Sequence, residues 1–414
     1  IAHASYVSYL VETGRIIPEF PEMRIFYPDG SWGHIPNYIA HPPLYYHLLR
    51  WTQPDNRSGL TREALILRAR FATPWMGLAV IGLMMWIGLR LEMPLPAHLV
   101  YAGGLATVPM VSFGLAGVNN DVLAWFAGGL VILGTCRWAE DRRGRHTALL
   151  LGAGIGIALL AKLTAALLCI IAVFLVMLRS LAMEKPIRAK EWALPFFLIA
   201  ACCLPGIAYH GAQLAKYGTL FPRGAATSPV EETAANATPA PRNEENTRLS
   251  PGRWAREFTS AMAGTWVNIV GHKFTDRRSP FEAIGLLLLP LLALAGFFMK
   301  SSPQDPTLST ILPALRCAAV ACAVVVAAHF LYTYRAHMLT NFIGGVAARY
   351  YFPMLPALLL LAARPFAVSG RGRRSLVVAL VLVALLSYAN LTAFYEVASD
   401  PGWHEAMAPP RGSQ

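Results

Sequence analysis

The feature that most constrains this chain is the recurrence of long apolar runs, each near the length needed to cross about 30 Å of hydrocarbon. They fall at residues 70–90, 96–116, 121–136, 147–160, 164–180, 192–209, 281–299, 311–331, 350–364 and 375–395. Helices satisfy every backbone polar group internally, so the runs predict an all-α, polytopic transmembrane helix bundle of about ten spans. Hydrophobic residues make up 55% of the 414 and charged residues only 14%, a ratio that leaves too little polar surface for a water-soluble chain. The runs 147–160 and 350–364 are short, so each is expected to be tilted, broken or partly re-entrant, which leaves the count open by one or two.

The short loops orient the bundle. "RWAEDRRGRH" (137–146), "RSLAMEKPIRAK" (179–190) and "RPFAVSGRGRR" (364–374), with Arg90 and Lys300, carry the cations and are expected to be cytoplasmic. "VNND" (118–121), "AKLT" (161–164) and 332–349, whose cations are Arg335 and Arg349, are expected to face outward. On this reckoning the chain divides into an outer segment 1–69 with short helices, a first half-bundle 70–209, an outer segment 210–280, a second half-bundle 281–395 and an outer tail 396–414. The two large polar segments then meet on one face. The net charge of +12 is a topology signal; its residues are scattered between spans and build no nucleic-acid-binding patch.

Several classes are excluded by residue pattern. All six cysteines lie within or at the ends of apolar runs, as small core residues. No CxxC, HExxH, P-loop or GxGxxG in a strand-to-helix setting is present, which removes soluble cofactor and nucleotide chemistry. No ligand cluster compels a metal, so a divalent cation stays an open question and no metal ligand is assigned. Residues 225–250 read as a polar outer linker. In "PGRWAREFTSAMAGTWVNIVG" (251–271), Trp254, Phe258 and Trp266 recur at helical spacing, as in a helix lying in the membrane interface. The chain opens at Ile1, without Met, in an outer segment, and a preceding span is expected upstream.

Four stretches carry candidate chemistry. In "HPPLYYHLLR", Pro42 and Pro43 hold His41 extended and could aim its imidazole into an outer cavity, or they form the entry turn of an aromatic anchor built on Tyr45 and Tyr46. In "GVNNDVLAWF", Asp121 follows Asn119 and Asn120 and serves either as a helix N-cap or as a carboxylate positioning an acceptor hydroxyl or a metal. Lys162 in "LLAKLTA" interrupts an apolar region where an ionisable group costs about 2.5–3.5 kcal/mol unless it snorkels or is paired. Arg349, followed by Tyr350 and Tyr351, opens a span from outside; it snorkels or clamps a phosphate, for which a planar guanidinium is suited.

Taken in order, His-Pro-Pro-Leu-Tyr-Tyr, Asn-Asn-Asp, a Lys in a Gly-rich helical break, and Arg-Tyr-Tyr-Phe-Pro-x-Leu-Pro resemble the GT-C superfamily of polytopic glycosyltransferases. Within it the sequence is most similar to bacterial relatives of the protein mannosyltransferases and the aminoarabinose lipid A transferases. The resemblance implies transfer of a sugar from a polyprenyl-phosphate carrier to an acceptor hydroxyl on a lipid, glycan or protein, with inversion, at the outer face of the bacterial inner membrane. In that family a carboxylate in an Asp-Glu-x-x-His pattern acts as base. Here "IAH" (1–3) fits the tail of that pattern, with His3 as its histidine, and the carboxylates are expected immediately before Ile1. Glu12, Glu19, Glu22 and Asp29 stand outside the pattern. The resemblance assigns His3, His41 and Asp121 to the catalytic side, and Lys162, Arg349, Tyr350, Tyr45 and Asn120 to substrate binding, with Lys162 and Arg349 meeting the phosphate. The rival readings are a transporter or lipid flippase, which also needs intramembrane cations, and a non-catalytic membrane protein of the same fold. The two large outer segments favour the enzyme.

Overall fold

The structure is a computed structural model, and it describes residues 2–26, 31–37, 39–54, 61–183, 189–220, 248–267, 280–303, 305–340, 345–368 and 372–399. Ala237 and most of the linker 225–250 lie outside the described residues, as do Asp29 and the tail beyond Ser399.

All ten apolar runs fold as helix. The order is α1 (Ala2–Thr13), β1 (Arg24–Phe26), β2 (Trp32–Pro36), α2 (Leu44–Arg50), α3 (Arg62–Leu89), α4 (Leu95–Thr107), α5 (Pro109–Ala116), α6 (Asp121–Ala139), α7 (Arg145–Ala161), α8 (Leu163–Met183) and α9 (Ala189–Tyr217). It continues with α10 (Pro251–Val267), α11 (Pro280–Phe298), α12 (Pro306–Thr340), a 3-10 helix (Ala348–Met354), α13 (Leu355–Val368) and α14 (Arg373–Ser399). The N-terminal segment also holds a small antiparallel sheet of β1 and β2, registered through Arg24 with Pro36 and Phe26 with Trp32.

Four expectations are refined. Among the described residues seven helices are long and apolar enough to cross a membrane, or eight if α4 and α5 form one broken span; α7 and Leu287–Phe298 are shorter. The run 96–116 is this broken pair, bent by 56° where Val108 is extended ahead of Pro109, as expected of the residue before a proline. Residues 332–340, assigned to a loop, continue α12, and α14 runs past 395 to Ser399. The short run 350–364 starts as the 3-10 helix and then becomes α13.

Helix α6 and the 348–368 segment are the most deeply buried elements, whereas α3, α9 and α14 lie at the periphery. The peripheral helices expose large apolar side chains such as Phe71, Trp75, Leu204, Ile207, Val377 and Val381, a surface that suits hydrocarbon and not water. Between α7 and α9 small residues set the distance. A Cβ on Gly152 would come within 2.9 Å of the Ile199 Cα, and one on Gly156 within 2.3 Å of the Cys202 carbonyl oxygen. Close small-residue contact of this kind gives dispersion energy where lipid removes the hydrophobic drive for helices to associate.

The cation-rich ends gather on one side. Arg90 and Glu140 join the ends of α3 and α6 at 2.6 Å. Buried Arg364 donates to the carbonyls of Gly296, Met299 and Lys300, and Arg316 to those of Phe297 and Met299. Two guanidinium groups thereby satisfy carbonyls at and just beyond the C-terminus of α11, where intrahelical partners run out. At the opposite end of the bundle Lys216, in the last turn of α9, meets Glu19 of the N-terminal segment at 2.5 Å, and Tyr217 donates to the same carboxylate at 2.8 Å. In α10 the aromatic face turns onto protein: Trp254 stacks on His337 at 4.7 Å, Phe258 meets Phe330, and Trp266 packs edge-on against Phe352.

Candidate functional site

The site forms where three chain breaks converge. The first is the start of α6. Asn119 Oδ1 accepts from the Asp121 N–H at 2.8 Å, and Asn120 donates from Nδ2 to the carbonyl of Ala161 at 2.7 Å, which ties the head of α6 to the end of α7. The second break is Lys162 itself. It is extended between α7 and α8 (φ −161°, ψ 121°), so its side chain leaves the helical path and points across to α6. The third is the 3-10 helix that carries Arg349 and Tyr350, anchored by Thr265 of α10, whose hydroxyl accepts from the Ala348 N–H at 2.8 Å. Trp125 of α6 donates to the Arg349 carbonyl at 3.3 Å.

These breaks bring three ionised side chains together. Lys162 Nζ donates to Asp121 Oδ1, and Arg349 Nε lies 3.3 Å from Asp121 Oδ2. Asp121 is 2% exposed and Lys162 8%, whereas the Arg349 side chain is 21% exposed. The Tyr350 ring covers both cations, with Lys162 Nζ 4.3 Å and Arg349 Cζ 5.8 Å from its centroid, a cation–π arrangement. Two expectations are corrected. Asp121 is the first residue inside α6 and not its N-cap; its carboxylate is held by side-chain cations. Lys162 and Arg349 are not awaiting an anion to neutralise them both, because Asp121 already pairs with each. Two cations on one anion still leave one positive charge, and Arg349 Nε makes no aligned hydrogen bond among the described residues.

The N-terminal segment that holds α1 and α2 closes over this group. His41 lies within the field of Lys162, Asp121 and Arg349. Burial lowers its imidazole to about 3; the two cations add to the effect and Asp121 opposes it, so His41 is neutral at physiological pH. His3 of α1 stacks on His41 at 6.1 Å between ring centroids and shares a 2.9 Å hydrogen bond between Nδ1 and the Tyr46 hydroxyl. Burial, then His41, lowers His3 well below its usual value. Tyr45 contacts Thr73 of α3 through a 3.4 Å hydrogen bond, and burial raises its phenol, which stays protonated.

All eight residues singled out from the sequence therefore fall in one connected region: Asp121, Lys162, Arg349 and Tyr350 in contact, Asn120 behind them, and His41, His3 and Tyr45 above. The sequence reading missed the supports. Tyr46 stacks on Tyr6 at 3.8 Å, and Tyr6 donates to the His41 carbonyl at 3.0 Å, which fixes the His-Pro-Pro corner against α1. Tyr6 stands three residues after His3, on the same helical face, and that spacing was the available signal. His329 of α12 bonds the Tyr351 hydroxyl at 2.6 Å beside Tyr350; nothing in its sequence setting marks it. Of the other carboxylates, Glu12 accepts from Trp32, Glu19 pairs with Lys216, and Glu22 with Arg15. Among the described residues no group of three or more His, Cys, Asp or Glu side chains gathers as a metal site.

No family model matches the sequence, and no curated protein does. Among solved structures the chain is similar to ArnT from Cupriavidus metallidurans in the apo state, at 15% identity over 94% of this chain and 72% of that one, with a TM-score of 0.37. It is similar also to the same protein bound to undecaprenyl phosphate, at 15% identity over 99% of this chain and 76% of that one, with a TM-score of 0.38.

Proposed function

We propose that this protein is an integral membrane glycosyltransferase that moves a sugar from a polyprenyl-phosphate carrier to an acceptor hydroxyl at the outward face of a bacterial inner membrane. The observation that carries the reading is the Asp121–Lys162–Arg349 group: a surplus positive charge at the mouth of an apolar bundle, with its guanidinium partly exposed. A lipid phosphate matches both halves of that environment, since the headgroup supplies the missing negative charge and the prenyl chain lies in hydrocarbon.

In the reaction the bond between the anomeric carbon and the phosphate oxygen breaks as the acceptor oxygen attacks from the opposite face, so configuration inverts. The electron pair leaves with the phosphate, and the acceptor proton passes to a base. Negative charge grows on the phosphate in the transition state, where preorganised cations act most strongly because they need no reorganisation. Lys162 and Arg349 are those cations. Asp121 holds them in place, and with both carboxylate oxygens engaged it is a positioning group and not the base. His41 and His3, kept neutral, serve as hydrogen-bonding walls for sugar or acceptor hydroxyls. The His-Pro-Pro corner keeps that wall rigid.

The test is direct binding of a short-chain polyprenyl phosphate, followed by its stabilisation of the purified protein against heat. The parent is expected to bind, and Lys162→Met to lose at least about tenfold in affinity, as removal of one charge-assisted contact would give. Equal affinity in parent and variant would overturn the phosphate role.

A further inference from the structure

The extended backbone at Lys162 gives α7 an open end, and the carbonyls of its last turn have to be met from outside the helix. In an unbroken helix the Leu159 carbonyl would accept from the N–H of Leu163. Here the donor is His210 of α9, whose Nε2 lies 2.9 Å from that carbonyl oxygen. A carbonyl only accepts, so Nε2 carries the proton. Asn120 of α6 meets the Ala161 carbonyl from another side, and the Lys162 N–H closes on the Ala158 carbonyl at 2.8 Å. The break is clamped from two neighbouring helices.

Packing puts His210 in reach. Helix α9 runs along α7 on the small residues Gly152 and Gly156, and at the far end a Cβ on Gly206 would fall 2.5 Å from the Leu159 Cβ. His210 stands one turn after Gly206, on the same face of α9. Its ring is 8% exposed and meets the Tyr209 ring nearly at right angles, 5.1 Å between centroids. Among the described residues Nδ1 has no hydrogen-bond partner, so the bond to Leu159 is the one polar contact this buried imidazole makes.

We propose that His210 is a positioning residue for Lys162. It fixes the last turn of α7, so that the chain leaves the helix where the Lys162 ammonium reaches the Asp121 carboxylate. No atom of His210 touches substrate in this role. The consequence for carrier binding rests on the phosphate role of Lys162 proposed above, whereas the consequence for the Lys162 side chain does not. The role needs a donor at the distance of Nε2 from the α9 backbone. Glutamine places its amide nitrogen at that reach, asparagine stops short of it, and leucine has no donor.

The experiment treats the full chain in lipid nanodiscs with sulfosuccinimidyl acetate and follows acetylation of Lys162 by mass spectrometry, with exposed Lys300 as the reference. The paired ammonium should be protected in the parent. His210→Leu should raise its acetylation rate about tenfold by opening the α7 end, and His210→Gln should restore protection. Gln213→Met, on the next turn of α9, should stay protected. Affinity for a short-chain polyprenyl phosphate should fall about fivefold in His210→Leu and recover in His210→Gln. In a Lys162→Met background His210→Leu should cost no further affinity, because both changes act through one ammonium. Should His210→Leu fail to fold, His210→Asn carries the same readouts. Lys162 acetylation within about twofold of the parent in His210→Leu and His210→Asn would overturn the inference. Equal release of Lys162 in Gln213→Met or in His210→Gln would do so too, since either would mean general loosening. Release of Lys162 in the His210 variants of a protein that does not bind polyprenyl phosphate would sink the transferase reading and leave the positioning role standing.

Discussion

Lys162 and Arg349 hold opposite oxygens of one buried carboxylate, that of Asp121, although the three residues lie on three separate segments of the chain. The pairing settles how two cations persist at the edge of an apolar bundle, and it makes their geometry depend on a residue that neither donates nor accepts a proton from substrate in the proposed reaction.

Removing the carboxylate should therefore cost more than removing either cation. Asp121→Asn leaves the buried Lys162 ammonium and the partly exposed Arg349 guanidinium facing one neutral amide, and breaking a buried pair such as Lys162–Asp121 costs about 3–5 kcal/mol. A clear fall in the thermal midpoint of detergent-purified protein is expected, partly recovered in the double variant Asp121→Asn, Lys162→Met because the two sites are coupled. A midpoint equal to the parent's in Asp121→Asn would show that the ion pairs contribute nothing.

Arg349→Lys tests geometry at constant charge. The lysine ammonium cannot keep both the contact through Nε to Asp121 and a forked face toward a phosphate. Affinity for polyprenyl phosphate should fall by about tenfold with little change in stability; an unchanged affinity would assign Arg349 to simple charge balance.

His41 gives the protein an acid sensitivity of known sign. The unfolded imidazole titrates near 6.5 and the folded one at about 3. Between those values the unfolded chain binds the extra proton, so stability rises with pH, is complete above about 6.5 and is lost progressively toward 3. Thermal midpoints measured from pH 4 to pH 7 should climb in the parent and climb less steeply in His41→Asn.

Gly128 of α6 allows the 3-10 helix to lie against it: a Cβ there would fall 2.1 Å from the Pro353 carbonyl oxygen and 2.4 Å from its Cα. Both obstacles are backbone, so Gly128→Ala must displace the segment that carries Arg349 and Tyr350. Overpacking of this kind costs about 1–3 kcal/mol, and carrier binding should weaken together with stability. Gly14→Ala would not be an equivalent control, since Gly14 has φ +67°; Gly82→Ala, with open space around its Cβ, should leave both unchanged.

Orientation is tested at Ala237, between α9 and α10. A cysteine there should react with an impermeant thiol reagent in intact cells. Labelling only after lysis would reverse the assignment and place the Asp121 site on the cytoplasmic side.

The sequence by itself determined the class of the protein and most of its helices. Continuous apolar runs of about twenty residues fold as helix in hydrocarbon, so the ten segments were legible from the position and length of the runs. The rarity of ionisable groups within them drew attention to Asp121, Lys162 and Arg349, because in such a setting each charge needs a reason. Local rules reached further in places: Pro42 and Pro43 marked the corner before α2, and the Lys162 break followed from a cation in an apolar stretch. They failed at Val108, where the apolar run is continuous and only Pro109 signals a bend, and at 332–340, where a helix continues through residues that read as a loop.

Tertiary structure decided who pairs with whom. The three charges come from the head of α6, the α7–α8 break and the 3-10 helix, and no periodicity relates positions so far apart. Their partners were set by packing: Gly128 admits Pro353, Asn120 reaches Ala161, and Thr265 fixes Ala348. Read alone, Lys162 and Arg349 were each open to snorkelling or to an external phosphate. Folded, they share an internal one, because a charge in a low-dielectric interior is stabilised chiefly by the nearest opposite charge, and only the three-dimensional path of the chain determines which one that is.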